Sequence, residues 1–254
     1  MTEPGTAAAT IKVVDPPAGR LIAVGDIHGC VDELSVLLDE MVSRWKITDR
    51  DRVVFLGDYI DRGPASNLVV ERVLEFRRDF PQTLFLRGNH EDMFLSYLGL
   101  PGGSMGEMFL PNGGVQTLGS YDVEDFFSLP SILSAVPGTH LAFFQELELC
   151  ISCGDTLLVH AGINPSLPLD QQNAEELLWI RAEFLYEPHP FPQTVVFGHT
   201  PFHDIVDDRP FKIGIDTGLV FGNKLTCLNI THGEALQVVR GGRRSVMVSL
   251  AREG

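Results

Sequence analysis

Cysteine is scarce in this 254-residue chain, which has only Cys30, Cys150, Cys153 and Cys227. Cys150 and Cys153 form a single C-x-x-C, but a structural zinc site needs two further ligands at suitable spacing, and none is evident. Glu146 to Cys153 alternates like a strand, which sets those two thiols on opposite faces. All four read as buried thiols of a reducing compartment. Long apolar runs are also lacking, since no stretch approaches the ~18 residues needed to span a bilayer. The N-terminus has neither the basic nor the apolar region of a secretory signal. A cytoplasmic location is therefore expected, and a membrane partner is not. Positive charge is the third shortage: 19 Lys and Arg stand against 34 Asp and Glu, a net charge of −15. A nucleic-acid binder needs basic surface to neutralise phosphates, so that class is excluded as a general function.

What is present is ordinary for a globular enzyme, with 44% hydrophobic and 21% charged residues. Residues 1–17, rich in Ala, Thr and Pro, read as a mobile leader. The remainder, 18–254, shows no repeat and no low-complexity linker, and reads as one domain. Its first part alternates apolar runs with helical periodicity. The runs at 21–24, 53–56 and 83–86 read as strands, and 31–45, 67–78 and 90–97 as helices, a βαβαβ unit with parallel neighbours. Glu33, Asp39 and Glu40 fall on the solvated face of the first helix. Residues 100–144 change character, with Gly pairs and prolines between amphipathic pieces, and read as an irregular, partly helical cap. Beyond them come strands at 146–152, 155–160, 194–197, 211–215, 224–230, 234–239 and 245–250, with a hairpin signal at Gly154-Asp155. The expected fold class is α/β: an α/β first half joined to a largely antiparallel second half, giving two packed β-sheets with helices outside.

The chemistry lies where strands end. Gly25-Asp26-Ile27-His28-Gly29 follows the first strand, and Gly57-Asp58-Tyr59-Ile60-Asp61-Arg62-Gly63 the second. Gly88-Asn89-His90-Glu91 follows the third, and two later strands run into His160-Ala161-Gly162 and Gly198-His199-Thr200. Carboxyl ends of strands are where sites form in open α/β sheets. Turn chemistry alone does not require Asp, His or Asn at five successive strand ends. The donor set is mixed O and N, which suits Mn, Fe or Zn better than Ca or Mg. A carboxylate can bridge two ions about 3.5–4 Å apart, and Asp58, on the middle strand of the unit, is the natural bridge.

These motifs resemble GDxHG, GDxxDRG, GNHE, HAG and a later GH, the signatures of the metal-dependent phosphoprotein phosphatases. That family belongs to the calcineurin-like metallophosphoesterase superfamily. The short length, Asn112-Gly113-Gly114, Leu177 to Arg181 and Ile215-Asp216-Thr217-Gly218 resemble the small bacterial and phage members, and recur in the related diadenosine tetraphosphatases. The resemblance covers roughly residues 20–200. It implies one divalent metal on Asp26, His28 and Asp58 and a second on Asp58, Asn89, His160 and His199, with manganese foremost. It implies direct attack on phosphorus by a hydroxide bridging the two. His90 resembles the general acid and Asp61 the carboxylate that orients it, while Arg62 and Arg181, with Asn89, resemble the phosphate-binding residues. Arg87 reads as structural, and Asp216 as a turn or supporting residue.

The leading expectation is a serine/threonine protein phosphatase. The alternative is a diadenosine tetraphosphatase or another hydrolase of small phosphoesters, and a third is a non-catalytic scaffold of the same fold. Symmetrical diadenosine tetraphosphatases commonly lack the Asp of GDxxDRG, so its presence as Asp61 favours the phosphatase. The partner is then a phosphorylated protein or small phosphoester; oligomeric state is not legible.

Overall fold

Four-residue apolar runs, rich in β-branched residues, make most of the strands, and both faces of each inner strand are buried. The computed structural model describes residues 8–250. Its strands are β1 (Ile11–Val14), β2 (Leu21–Val24), β3 (Arg52–Phe55), β4 (Leu84–Phe85), β5 (Cys150–Cys153) and β6 (Thr156–Val159), followed by β7 (Thr194–Phe197), β8 (Val206–Asp208), β9 (Lys212–Gly214), β10 (Lys224–Asn229), β11 (Glu234–Val239) and β12 (Val246–Ser249). The helices are α1 (Val31–Trp45), α2 (Ser66–Asp79), α3 (Asn89–Tyr97), α4 (Val115–Ser120), α5 (Leu129–Ala135), α6 (Gly138–Gln145), α7 (Ala174–Trp179) and α8 (Ala182–Leu185).

Two six-stranded sheets form, in the orders β12-β11-β10-β2-β3-β4 and β1-β5-β6-β7-β9-β8. Alternation along β2 shows how they pack. Leu21 and Ala23 join Val54, Ile151, Leu158 and Val196 between the sheets, whereas Ile22 and Val24 point to the layer of α1 and α2. A third cluster, including Leu157, Val159, Leu177 and Phe184, sits under α7 and α8. Cys150 lies in that outer cluster and Cys153 between the sheets, both thiols free, as the strand alternation predicts.

Two sequence expectations need correction, and a third holds in part. Residues 1–7 of the expected leader lie outside the described residues, but Ile11–Val14 is an edge strand paired in parallel with β5. Its apolar run is short and sits among Ala and Pro, so only the partner strand reveals it. The second half is antiparallel at β5-β6, β8-β9, β10-β11 and β11-β12, as expected, but β6, β7 and β9 run parallel to one another and the short β8 lies outside the expected strands. Glu33 is not solvated. It is buried, and accepts hydrogen bonds from Arg240 and the Gly241 N–H on the hairpin between β11 and β12. The cap is more helical than its Gly and Pro content suggests, holding α4, α5 and α6.

Candidate metal centre

Two parallel triplets, β2-β3-β4 in one sheet and β6-β7-β9 in the other, deliver their carboxyl-end loops to a common rim. The loops after β2 and β3 meet backbone to backbone. Ile27 and His28 both donate their N–H to the Asp58 carbonyl, at 3.0 and 2.8 Å. A Cβ on Gly63 would collide with the His28 carbonyl oxygen, so only glycine permits this approach. Five site residues, His28, Asp58, Asp61, Arg62 and His199, have φ between 47° and 70°. Left-handed backbone at non-glycine residues costs energy, and it persists where neighbours over-determine it.

Glu91 is one such determinant. Fully buried on the first turn of α3, its carboxylate accepts N–H bonds from Asp58, Tyr59, Ile60 and Gly88 at 2.8–3.2 Å. It laces two site loops together, a role that sequence reading did not assign. The signal was available: Glu91 is the third residue after Gly88, the capping-box spacing.

Asp58 stands at the centre. His28 Nε2 is 3.3 Å from its Oδ2, and His160 Nε2 is 3.4 Å from its Oδ1. The opposite nitrogens, His28 Nδ1 and His160 Nδ1, lie 2.9 Å from the carbonyls of Ile60 and Leu56, to which they donate. That fixes the tautomers and leaves both Nε2 lone pairs facing the site, the arrangement metal-binding histidines use. The His160 Nε2 lone pair faces Asn89 Oδ1 at 3.0 Å, and His199 Nδ1 is also 3.0 Å from that oxygen. The His160 Nε2 lone pair thus faces two acceptor oxygens, Asn89 Oδ1 and Asp58 Oδ1, which calls for a cation between them. Two groups of donor atoms could each hold one: His28, Asp58 and His90, and Asp58, His160 and His199. Asp58 is common to both.

Asp26 is placed differently from the first trio. Its Oδ2 accepts the His199 N–H at 3.0 Å, and its buried Oδ1 has no partner among the described residues. His199 Nε2 is likewise buried and unpartnered. Burial, then the carboxylates of Asp216 and Asp58, push Asp26 well above its ordinary range. Burial alone would raise Asp58, but His160, His90 and His28 hold it well below that range. Burial also lowers His160, and drives His199 down to about 2 with His160 adding to the effect. Neutral imidazoles beside crowded, buried carboxylates fit a divalent-metal centre, since buried charge is otherwise costly.

The expected proton-donor pair is assembled, with His90 Nδ1 2.6 Å from Asp61 Oδ2. Burial raises Asp61 and lowers His90. His90 Nε2 is buried without a partner among the described residues. The cap supplies Thr117, whose hydroxyl donates to Asp61 Oδ1 at 2.6 Å and accepts the Asp61 N–H at 2.8 Å. Thr117 had no motif to announce it; only the folded cap brings it 56 positions along the chain to Asp61.

Arg62 donates from Nη1 to His28 Nε2 at 2.7 Å, which places its guanidinium on the rim. Arg181, just before α8, is exposed, and its charge is felt at His199. Arg87 is structural, as its place in the sequence suggests, bonding to Asp92 and the Gly102 carbonyl. Asp216 caps its own turn by accepting the Gly218 N–H at 2.9 Å.

Strand topology and rim define a metallophosphoesterase, and residues 19–234 match the calcineurin-like phosphoesterases; the chain belongs to that family. Among curated relatives, it is 25% identical over 240 residues to the asymmetrical bis(5'-nucleosyl)-tetraphosphatase PrpE of Bacillus thuringiensis (strain Al Hakam), covering 85% of this chain and 92% of the relative. It is 26% identical over 243 residues to PrpE of Oceanobacillus iheyensis, covering 86% and 92%. A crystal structure provisionally described as a diadenosine tetraphosphatase superposes with TM-score 0.63 at 24% identity, covering 91% of this chain and 99% of that one. A protein serine/threonine phosphatase from Saccharomyces cerevisiae gives 0.59 at 14%, covering 97% and 86%. At such identities the two structures attest the fold alone. No helix among the described residues is long and apolar enough to cross a membrane.

Proposed function

We propose that the chain is a two-metal hydrolase of dinucleoside polyphosphates, reversing the order of the two leading expectations. The observation that carries the chemistry is Asp58, shared by two histidine-containing donor groups on one rim. The substrate rests on the curated relatives, which are named as tetraphosphatases across most of both chains. The argument from Asp61 concerned the symmetrical enzymes; these relatives are named asymmetrical, so it does not count against them.

Asp26, His28 and Asp58 would hold one divalent cation, and Asp58, Asn89, His160 and His199 the other. When bound, such ions activate water and neutralise phosphate charge. The remaining roles belong to side chains. Arg62 and Arg181 grip non-bridging phosphate oxygens through paired N–H donors. His90 Nε2, aimed into the rim, hands its proton to the departing oxygen, and Asp61, held by Thr117, keeps the ring in place.

One observation favours the phosphoprotein reading. An alkoxide from serine needs a proton as it leaves, whereas a nucleotide phosphate leaves as a weak base, so an intact His90–Asp61 pair is worth more to the former. A direct comparison separates the two: turnover of diadenosine tetraphosphate, a phosphoserine peptide and a phosphotyrosine peptide by one manganese-supplemented preparation. The dinucleotide should give the highest kcat/KM. A preference of tenfold or more for a phosphopeptide would restore the phosphatase.

A further inference from the structure

The loop from β9 to β10 crosses the rim and carries an aromatic side chain that the catalytic roles above do not use. Asp216 anchors it by accepting the Gly218 N–H, and the Gly218 carbonyl accepts from Phe221 at 3.1 Å and Asn223 at 3.2 Å. Gly218 and Gly222 bracket the turn with φ of 67° and 97°, which few other residues adopt. Leu219 is buried in the core, so the turn cannot roll. Phe221 points the other way and is 64% exposed. Phe127 and Tyr186 are also exposed aromatics, but of these three only Phe221 meets a site residue: the Arg62 guanidinium lies over its ring, 5.3 Å from the centroid.

We infer that Phe221 is a specificity-determining platform on which the base of a nucleotide stacks while Arg62 and its neighbours hold the phosphate. The inference rests on the assignment of Arg62 to phosphate. A rigid ring one guanidinium away from bound phosphate is placed for a group attached through a short linker, as a base is through ribose. Stacking on an aromatic side chain accepts any base, because each has a π-face. A phosphoserine side chain offers no such face. The ring therefore separates nucleotides from alkyl phosphomonoesters without a base-specific hydrogen bond.

The test uses the full-length, manganese-loaded chain and two probes, AMP and inorganic phosphate, each titrated calorimetrically into the wild type and into Phe221→Leu and Phe221→Tyr. Phe221→Leu should weaken AMP about tenfold and leave phosphate within twofold, while Phe221→Tyr should keep AMP near the wild-type affinity. Equal weakening of AMP and phosphate would show that the ring only steadies Arg62, and would overturn the proposal. Unchanged AMP affinity in Phe221→Leu would overturn it as well. Thermal melting of each variant confirms the fold, which an exposed position should leave intact. The dinucleotide reading fails separately: a wild type that binds AMP through Phe221 yet does not hydrolyse diadenosine tetraphosphate would refute that reading alone.

Discussion

The two walls of the rim are built in different ways. The wall from β2, β3 and β4 is laced before any ligand arrives. Glu91 takes four backbone N–H groups, Thr117 holds Asp61, and Asp61 holds His90. The wall from β6, β7 and β9 is tied by bonds spread over several groups, from Gly198 to the His160 carbonyl, from His160 to the Leu56 carbonyl, from His199 to Asp26 and from Gly218 to Asp216, with no single residue taking four N–H groups. Among the described residues both walls hold buried atoms without partners, Asp26 Oδ1 and His90 Nε2 on the first and His199 Nε2 and Thr200 Oγ1 on the second, where Arg181 is exposed. On the proposed function, the first wall would hold the proton donor in place and the second would offer ligands to metal and phosphate.

Asp58 joins the walls, so Asp58→Asn should cause the largest loss. Manganese-dependent turnover should fall about 10³-fold or more, with circular dichroism unchanged. Unchanged activity would remove the two-metal reading. His90→Asn should lower kcat about 10²–10⁴-fold on an alkyl phosphate and far less on p-nitrophenyl phosphate, whose leaving group needs no proton. An equal loss on both would mean that His90 serves the metals instead. Thr117→Val should give the same pattern at about tenfold, showing that the cap reaches the first wall, whereas Thr117→Ser should retain activity. Arg181→Ala tests the second wall, and should raise KM about tenfold while changing kcat little.

The smallest effect on turnover is expected far from both walls. Asp51 is buried, and burial alone would raise it, but hydrogen bonds from Arg20 and Thr48 hold its carboxyl below the ordinary range. Its folded-state value is depressed, so its contribution is present above the unfolded value of about 4 and is lost as pH falls below it. Asp51→Asn should cost about 1–3 kcal/mol in urea unfolding at pH 7 and less at pH 3, with kcat/KM unaltered under folding conditions. A stability loss independent of pH would deny the ion pair its role.

The amino-acid sequence determined which chemistry the chain can perform. Asp26, His28, Asp58, Asn89, His160 and His199 each follow a short apolar run, because a strand must end before a polar side chain can leave the core, and that local rule is written in neighbouring residues. The βαβαβ unit was legible for the same reason, through periodicities of 2 and 3.6. What only tertiary structure decided involves segments with no local rule in common. The parallel course of β6, β7 and β9 sets the second wall against the first, and β1 is a strand because β5 is there to pair with it. Thr117 serves Asp61, and Phe221 meets Arg62, because packing brings distant loops to one rim. Non-local contacts depend on the summed shape of the core, which no window of sequence contains.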